Sequence, residues 1–519
     1  MSSEPRHARE ALQLHYFFAS RRLDDRGGRL LRLLWETCAQ AGMDTALQDG
    51  GELSLPTDLR NGSSVHFLRL RADATGARQA LLYRLHDVVG LTVMLAEEEG
   101  PGRTAGQSAQ ALRALGRVWE EARSRAASVA AAAGDAGNAV ETDASLIGSV
   151  RVYRSLGVPD GGAPPDPARV AEGLRRDLSP DSRLSRPVET DDGLSLWELT
   201  RSGETYTARR DLLLTTVAND RQEGLLDDWS WYSAHGDLVP LTRYLIAAAQ
   251  IRESHRLRLD SDAALTEHVG KLRQIGEELT RKWQELTASS ADRPATGRRA
   301  LERWERIAEQ ARQALAEERL ASATSGGLRT MTRSLEISSA GLRVLGAGAD
   351  GRPRVLDGDE ELRARLAAVL DDDMTYLGIA REQVAEAARV ATESAAQRLQ
   401  SHQQYLSLIQ TTVIGSVLLT LTAIQALAYK LPLPVRFHAP LIAVLGSLAF
   451  VLPLLIARRW RGGTGGRIGA VLEVGSLALT GAATGWLVGR ALGHTTPSVL
   501  ICMVLLAVAG SWLTRRSSP

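Results

Sequence analysis

Cysteine is nearly absent from this chain of 519 residues: Cys38 and Cys502 are the only two, far apart and in different surroundings. A disulfide framework is excluded, and two thiols, Cys38 in the amphipathic run Leu30–Met43 and Cys502 in an apolar run, read as small buried hydrophobes and fit a reducing compartment. Lysine is as scarce. Only Lys271, Lys282 and Lys430 stand among 62 basic residues, a bias of genome composition that says little about mechanism. Aromatic residues make up 5% of the chain, yet 44% of it is apolar, too much for a disordered polymer.

The motifs of common chemistry are missing too. There is no G-x-x-x-x-G-K-[ST] phosphate loop, since Gly462–Arg467 is glycine-rich but lacks the Lys and reads as a flexible loop. No H-E-x-x-H, C-x-x-C or G-x-S-x-G occurs. The expectation is a protein that is not an enzyme and holds no cofactor or metal. Met1–Glu10 lacks the apolar core of a signal peptide, so the first 405 residues are expected in the cytoplasm.

Acid is what residues 406–519 lack most. Nine bases there face the single acid Glu473, giving +8, while the other 405 residues carry 53 bases against 60 acids, or −7. The overall +1 is a cancellation between two different pieces. Four apolar runs follow, Leu406–Ala428, Ala439–Ala457, Ile468–Val488 and Pro497–Leu513, each near the roughly 20 residues a helix needs to cross a bilayer. Arginines concentrate in Arg458–Arg467 and in the tail, as the positive-inside rule asks of cytoplasmic segments. The expectation is four transmembrane helices in the plasma (inner) membrane. Gly481, Gly485 and Gly489 recur every fourth residue, a smooth stripe for close helix packing within one bundle or for homo-oligomerisation. Glu473, near one end of its run, snorkels or pairs with an arginine.

Between 239 and 405 helical periodicity dominates. Leu265, Leu272, Leu279 and Leu286 recur every seven residues, and further seams run Leu301, Trp304, Ala308, Ala311, Leu315 and Leu377, Ala380, Val384, Ala387, Ala391. These predict a coiled-coil-like stalk whose last helix enters the first apolar run unbroken. Asp371–Asp373 is expected just before that helix, where its dipole favours acids.

Residues 1–238 alternate strand and helix signals and predict an α+β region. After the linker Ala126–Ala139 the order is expected to repeat, as two β-α-β-β-α units, 1–126 and 127–238. Tyr83–Thr92 can be laid over Thr207–Thr216, which puts Asp87 on Asp211. His86-Asp87 is the one dyad that catches the eye. It lacks the further ligands a metal site needs and stands between extended segments, so a turn, or a ligand contact shared with Asp211, is its expected role. Arg175-Arg176 and Arg201 with Arg209-Arg210 invite an anion site. On an acidic domain without interleaved aromatics, pairing with nearby acids is favoured and nucleic-acid binding is not expected.

The strand Leu12–Phe18, the helix Leu31–Cys38 and especially Arg78–Val89 followed by Leu91–Ala96 resemble actinobacterial CATRA proteins, the caspase- and TPR-repeat-associated components of predicted conflict systems. That resemblance implies a caspase-like peptidase and a TPR protein as partners and carries over no catalytic residue. The combined expectation is a sensor or adaptor anchored in the lipid bilayer, with units 1–126, 127–238, 239–405 and 406–519. A pore built on the four spans and an enzyme with an unrecognised site in the α/β region are the rivals.

Overall fold

The computed structural model describes residues 6–23, 28–47, 54–55, 66–97, 102–132, 145–158, 165–201, 209–217, 220–231, 237–292, 298–347, 354–429, 434–460 and 467–516. They fall into two compact units: 1–265 with 326–375, and 266–325 with 376–519.

The first unit is built on a mixed sheet. Its strands are β1 (Arg6–Ala19), β2 (Thr45–Ala46), β3 (His66–Ala72), β4 (Arg78–Leu85), β5 (Val88–Ala96), β6 (Leu146–Val158), β7 (Ser182–Leu184), β8 (Val188–Glu189), β9 (Ser195–Arg201) and β10 (Arg209–Val217). Their spatial order is β2-β3-β4-β5-β1-β6-β10-β9-β7, with β8 also on β9. The long β1 is the spine, antiparallel to both β5 and β6. Side chains alternate along a strand, so Leu12, Leu14, Tyr16 and Phe18 enter one core while Gln13, His15 and Phe17 face the opposite side.

Helices cover both faces. On the first side lie α1 (Gly28–Gln40), α2 (Ala105–Ala132) and α3 (Pro167–Leu178), and Trp119 of α2 donates its indole N–H to the Tyr16 hydroxyl at 3.1 Å. The start of α3 is written in its sequence: Asp166 accepts from the Ala168 N–H at 3.0 Å, and Pro167 fills the first position, where no N–H is needed. Helix α2 extends to Ala132, beyond the point where the linker was expected, because alanine is the best helix former; residues 133–144 lie outside the described residues. Helix α4 (Asp220–Ser230) covers the other side. Through its Ser230 hydroxyl it meets Gln13, 3.4 Å away.

The two halves of the sheet share strand order outward from β1 and β6, but β5 is antiparallel to β1 whereas β10 is parallel to β6. The proposed overlay of Asp87 on Asp211 does not correspond to equivalent places. Asp87 turns β4 into β5, while Asp211 sits within β10, opposite Arg151 of β6 and Leu199 of β9.

Three long helices follow: α5 (Pro240–Asp292), α6 (Arg298–Leu342) and α7 (Asp357–Tyr429). Within the second unit, Leu272 and Leu279 of α5, Trp304, Ile307, Ala311 and Ala314 of α6, and Leu377, Ala380, Val384, Ala388 and Ala391 of α7 are buried in turn. The seams therefore exist, shifted by a residue from Ala308 to Ile307 and from Ala387 to Ala388. Trp283 donates to the Ser394 hydroxyl at 3.1 Å, and Arg381 grips Glu318 at 2.6 Å. Helix α7 begins at Asp357, so Asp371–Asp373 lie inside it rather than before it; Asp357, Asp359 and Glu360 occupy its first turn, and Asp373 instead pairs with Arg258.

The second unit ends in α8 (His438–Trp460), α9 (Arg467–Leu492) and α10 (Thr495–Arg516), with α9 packed on both neighbours. The glycine stripe is used there. A Cβ on Gly481 or Gly485 would come within 2.5 Å of the carbonyl oxygen of Cys502 or Ser498, and one on Gly489 within 2.6 Å of the Thr495 Cα. Backbone meets backbone along the α9–α10 contact.

The expectation of four transmembrane helices is overturned. Among the described residues no helix is long and apolar enough to cross a membrane, so a multi-pass placement in the inner membrane falls with it. The part of α9 whose side chains are described, Val474–Leu492, is diluted by Ser476, Thr480, Thr484, Arg490 and its glycines, and the described side chains of α8 and α10 form runs short of the roughly 20 residues a span needs. Large apolar side chains of this region, including Leu418, Leu421, Leu500 and Leu505, are exposed. The Gly462–Gly466 loop and the Glu473 side chain lie outside the described residues.

Candidate functional site

Hairpin geometry sets the first feature. Leu85 pairs with Val88, leaving His86 and Asp87 as a two-residue turn between β4 and β5. His86 has φ +52°, a left-handed value that glycine adopts freely and a histidine adopts at a cost of about 1–2 kcal/mol. Positive φ at the first central residue alone is the sign pattern of a type II′ turn, where glycine is preferred. The Asp87 carbonyl accepts from Ser20 N–H at 2.8 Å, which ties the turn to the short 3-10 helix Ser20–Arg22.

That turn is the lip of a groove of about 950 Å³. One wall is α5, through Ile246, Ala247, Gln250 and Leu257; the other is the end of α6 and the turn after it, through Ser334, Ile337, Ser338 and Val344. The helices meet tightly at its base, where a Cβ on Gly341 would stand 2.8 Å from the Ala247 Cβ. Gln250 bridges the groove: its amide nitrogen reaches the Asp87 carboxylate at 3.4 Å, and its carbonyl accepts from Ser338 Oγ at 3.1 Å. Arg21, Arg22, Arg243 and Arg343 surround the opening. Arg22 pairs with Glu253 at 2.7 Å, whereas the Arg243 contact with Asp237 is long, 3.6 Å, between exposed side chains.

A second constellation is closed. Asp359, in the first turn of α7, accepts from the Tyr244 hydroxyl at 2.6 Å, from Arg252 at 2.7 Å and from Arg210 at 3.0 Å; Arg210 also reaches Glu198 at 2.8 Å. Tyr244 Oη in turn accepts the Leu356 N–H at 3.1 Å, satisfying backbone just before α7. Burial opposes ionisation of Asp359, but Arg210 and Arg252 outweigh it and hold the carboxyl below its ordinary range. Burial likewise works against the Arg210 charge, yet Asp359 and Glu198 carry it above its usual value. Burial, then the Asp359 charge, drive the Tyr244 phenol well up. Two cations and two anions balance with little access to solvent, which makes this a clamp on the start of α7.

Of the residues the sequence singles out, the structure brings His86 and Asp87 to the groove and leaves Asp211 in the sheet. Arg210 belongs to the clamp and Arg175 pairs with Glu172 at 2.7 Å, so the suspected arginine cluster is divided between separate tasks. Cys38, buried and donating to the Leu34 carbonyl at 3.2 Å, has its thiol pushed up to about 12 by burial, as befits an inert core residue. Among the described residues no group of three or more His, Cys, Asp or Glu is placed to hold a metal ion. Sequence reasoning missed Tyr244, Arg252 and Asp359. The one signal is the run of acids Asp357, Asp359, Glu360 and Glu361 at the start of α7, which does not by itself tell a first-turn acid from a buried charge.

A family model described as the CASPASE and TPR Repeat-Associated N-terminal domain matches residues 11–234, and the corresponding C-terminal domain matches residues 239–384. Together they span most of the chain. The chain belongs to the CATRA family. Its description associates these domains with caspase and TPR-repeat proteins, in line with the resemblance carried by Arg78–Ala96. The CATRA N-terminal match covers the whole mixed sheet from Ala11 on, and the C-terminal match begins at the start of α5. No curated protein and no solved structure matches the chain.

Proposed function

We propose that the chain is a non-enzymatic sensor or adaptor of a bacterial conflict system, which recognises a protein partner in the groove beside the β4–β5 turn. The observation that carries this reading is the groove itself: a strained, exposed His86 at its lip and walls drawn from a hairpin, a 3-10 turn and two helices. Strain of this kind persists where the surrounding structure over-determines it, and it clusters at binding sites. The polar groups around the groove are four arginines, serines, an amide, His86 and the two acids Asp87 and Glu253, a set richer in donors than in acceptors and suited to holding a ligand; among the described residues no serine of the groove is paired with a base, Ser338 meeting the Gln250 amide instead. The family description supplies the class of partner, a caspase-like peptidase or a TPR protein.

The test is co-purification of the tagged full-length chain from its native host, with a photocrosslinker at position 337 or 21. Crosslinked recovery of a caspase-like peptidase or a TPR protein supports the reading. Crosslinks to metabolic enzymes only, or capture that is indifferent to the crosslinker position, would sink it.

A further inference from the structure

We infer that the groove takes an acidic peptide segment carrying apolar side chains, presented by the protein partner. The inference rests on the partner-binding reading above and adds the chemistry of what is bound.

Size comes first. A groove of about 950 Å³ lies at the upper end of small-molecule sites, roughly 300–1,000 Å³, and suits a stretch of several residues better than a compact metabolite. Charge comes second. Among the described lining residues four arginines, Arg21, Arg22, Arg243 and Arg343, outnumber the two acids Asp87 and Glu253, and beyond the lining Arg343 interacts with Glu360. Glu253 already serves Arg22 at 2.7 Å and Arg256 at 2.6 Å, and Asp87 is met by Gln250. Arg21 has no acid partner among the described residues, and Arg243 holds Asp237 only loosely. Cations left this way are complementary to carboxylates on an incoming segment.

The floor excludes a purely ionic ligand. Leu85, Val88, Ile147 and Ile246 line it, and Leu257, Ile337 and Val344 leave 38%, 63% and 36% of their surface exposed. Such side chains are covered only by apolar groups of a ligand. Among the described residues no Trp, Tyr or Phe lines the groove, so they offer no stacking platform of the kind single-stranded nucleic acid requires. Carboxylates and aliphatic side chains in one short chain meet both demands.

The experiment titrates the full-length chain into a fluorescein-labelled decapeptide of alternating Glu and Leu and reads anisotropy. Lys-Leu and Glu-Gly decapeptides are the controls. The expected result is saturable binding of Glu-Leu, with both controls weaker by at least about tenfold. Arg21→Glu and Ile337→Ser each weaken Glu-Leu binding by about tenfold, with circular dichroism unchanged because both side chains are exposed. Equal binding of Lys-Leu, or no loss in Arg21→Glu, overturns the inference.

The same variants go into the co-purification. If Arg21→Glu captures the partner as well as the parent chain does, acid recognition in the groove is overturned while partner binding stands. If the parent chain binds Glu-Leu with the predicted variant losses yet captures no partner, the acidic-peptide site stands and the partner reading falls.

Discussion

The clamp at Asp359 and the groove at His86 draw on the same residue types within one compact unit, and they differ in whether the charges are matched. In the clamp, Arg210 and Arg252 meet Glu198 and Asp359, and Asp359 is 2% exposed on its side chain. In the groove, Arg21 has no acid partner among the described residues, Arg243 a distant one, and Ile337 is mostly bare. Arginines with partners already in place fix a helix; arginines without them wait for a ligand. The contrast implies that substitutions in the clamp cost stability and spare recognition, and that those in the groove do the reverse.

The largest effect is expected from Asp359→Ala. It leaves Arg210 and Arg252 buried with a single anion and Tyr244 without its acceptor, and removing one partner of a buried ionic group costs about 3–5 kcal/mol. Urea unfolding of the full-length chain should show a lowered midpoint of the transition that includes the sheet; an unchanged midpoint breaks the comparison. Tyr244→Phe removes one hydroxyl that both donates to Asp359 and accepts from Leu356 N–H, and is expected to cost a smaller 1–3 kcal/mol, roughly.

Acid provides a second lever within the same unit. Burial lowers His7 from 6.5 to about 4 and His15 to about 3, and their Nδ1 atoms lie near the Ser155 and Thr92 hydroxyls at 3.1 and 3.0 Å. The unfolded chain takes protons at these histidines below about pH 6.5 and the folded chain does not. Stability is therefore intact above that pH and falls as pH drops toward 4, by about 1.4 kcal/mol per pH unit for each histidine. Asp359 adds to this loss only lower, below its unfolded value of 3.8. His15→Leu should remove about half of the slope between pH 6 and 4.5, measured as the pH dependence of the urea midpoint. An unaltered slope would show that His15 titrates normally.

These two regions also explain what the sequence makes legible. Period-two alternation along Leu12–Phe18, seven-residue spacing of Leu265, Leu272 and Leu279, and the cap Asp166-Pro167 are local signals, and each names its element directly. Arg210 and Asp359 are 149 residues apart, and no local pattern announces that they touch. The groove is similarly non-local, since Arg21, His86, Gln250 and Ile337 come together only through the sheet and two helices. The turn at His86-Asp87 could be anticipated from flanking extended runs; its left-handed φ of +52° could not, because it follows from the two-residue length of the hairpin, which the pairing of Leu85 with Val88 fixes. The membrane expectation failed for the opposite reason. Counting apolar runs from 406 onward ignored the Gly, Ser and Thr content that makes α9 a close-packing helix, with Gly485 set against Ser498 and Val499.

The smallest expected effect separates the regions most cleanly. His86→Gly relieves a left-handed conformation worth about 1–2 kcal/mol and adds about 0.5–1 kcal/mol of lost chain entropy, a net gain of about 0.5–1 kcal/mol. The urea midpoint should therefore rise slightly, the opposite sign to every clamp substitution. His86 is an exposed member of the groove lip, so the same substitution should weaken capture of the partner. A gain in stability with a loss of binding is the signature of strain retained for recognition. If stability rises and capture is unaffected, the strain serves only the hairpin, and the groove has to be defined by Arg21 and Ile337 alone.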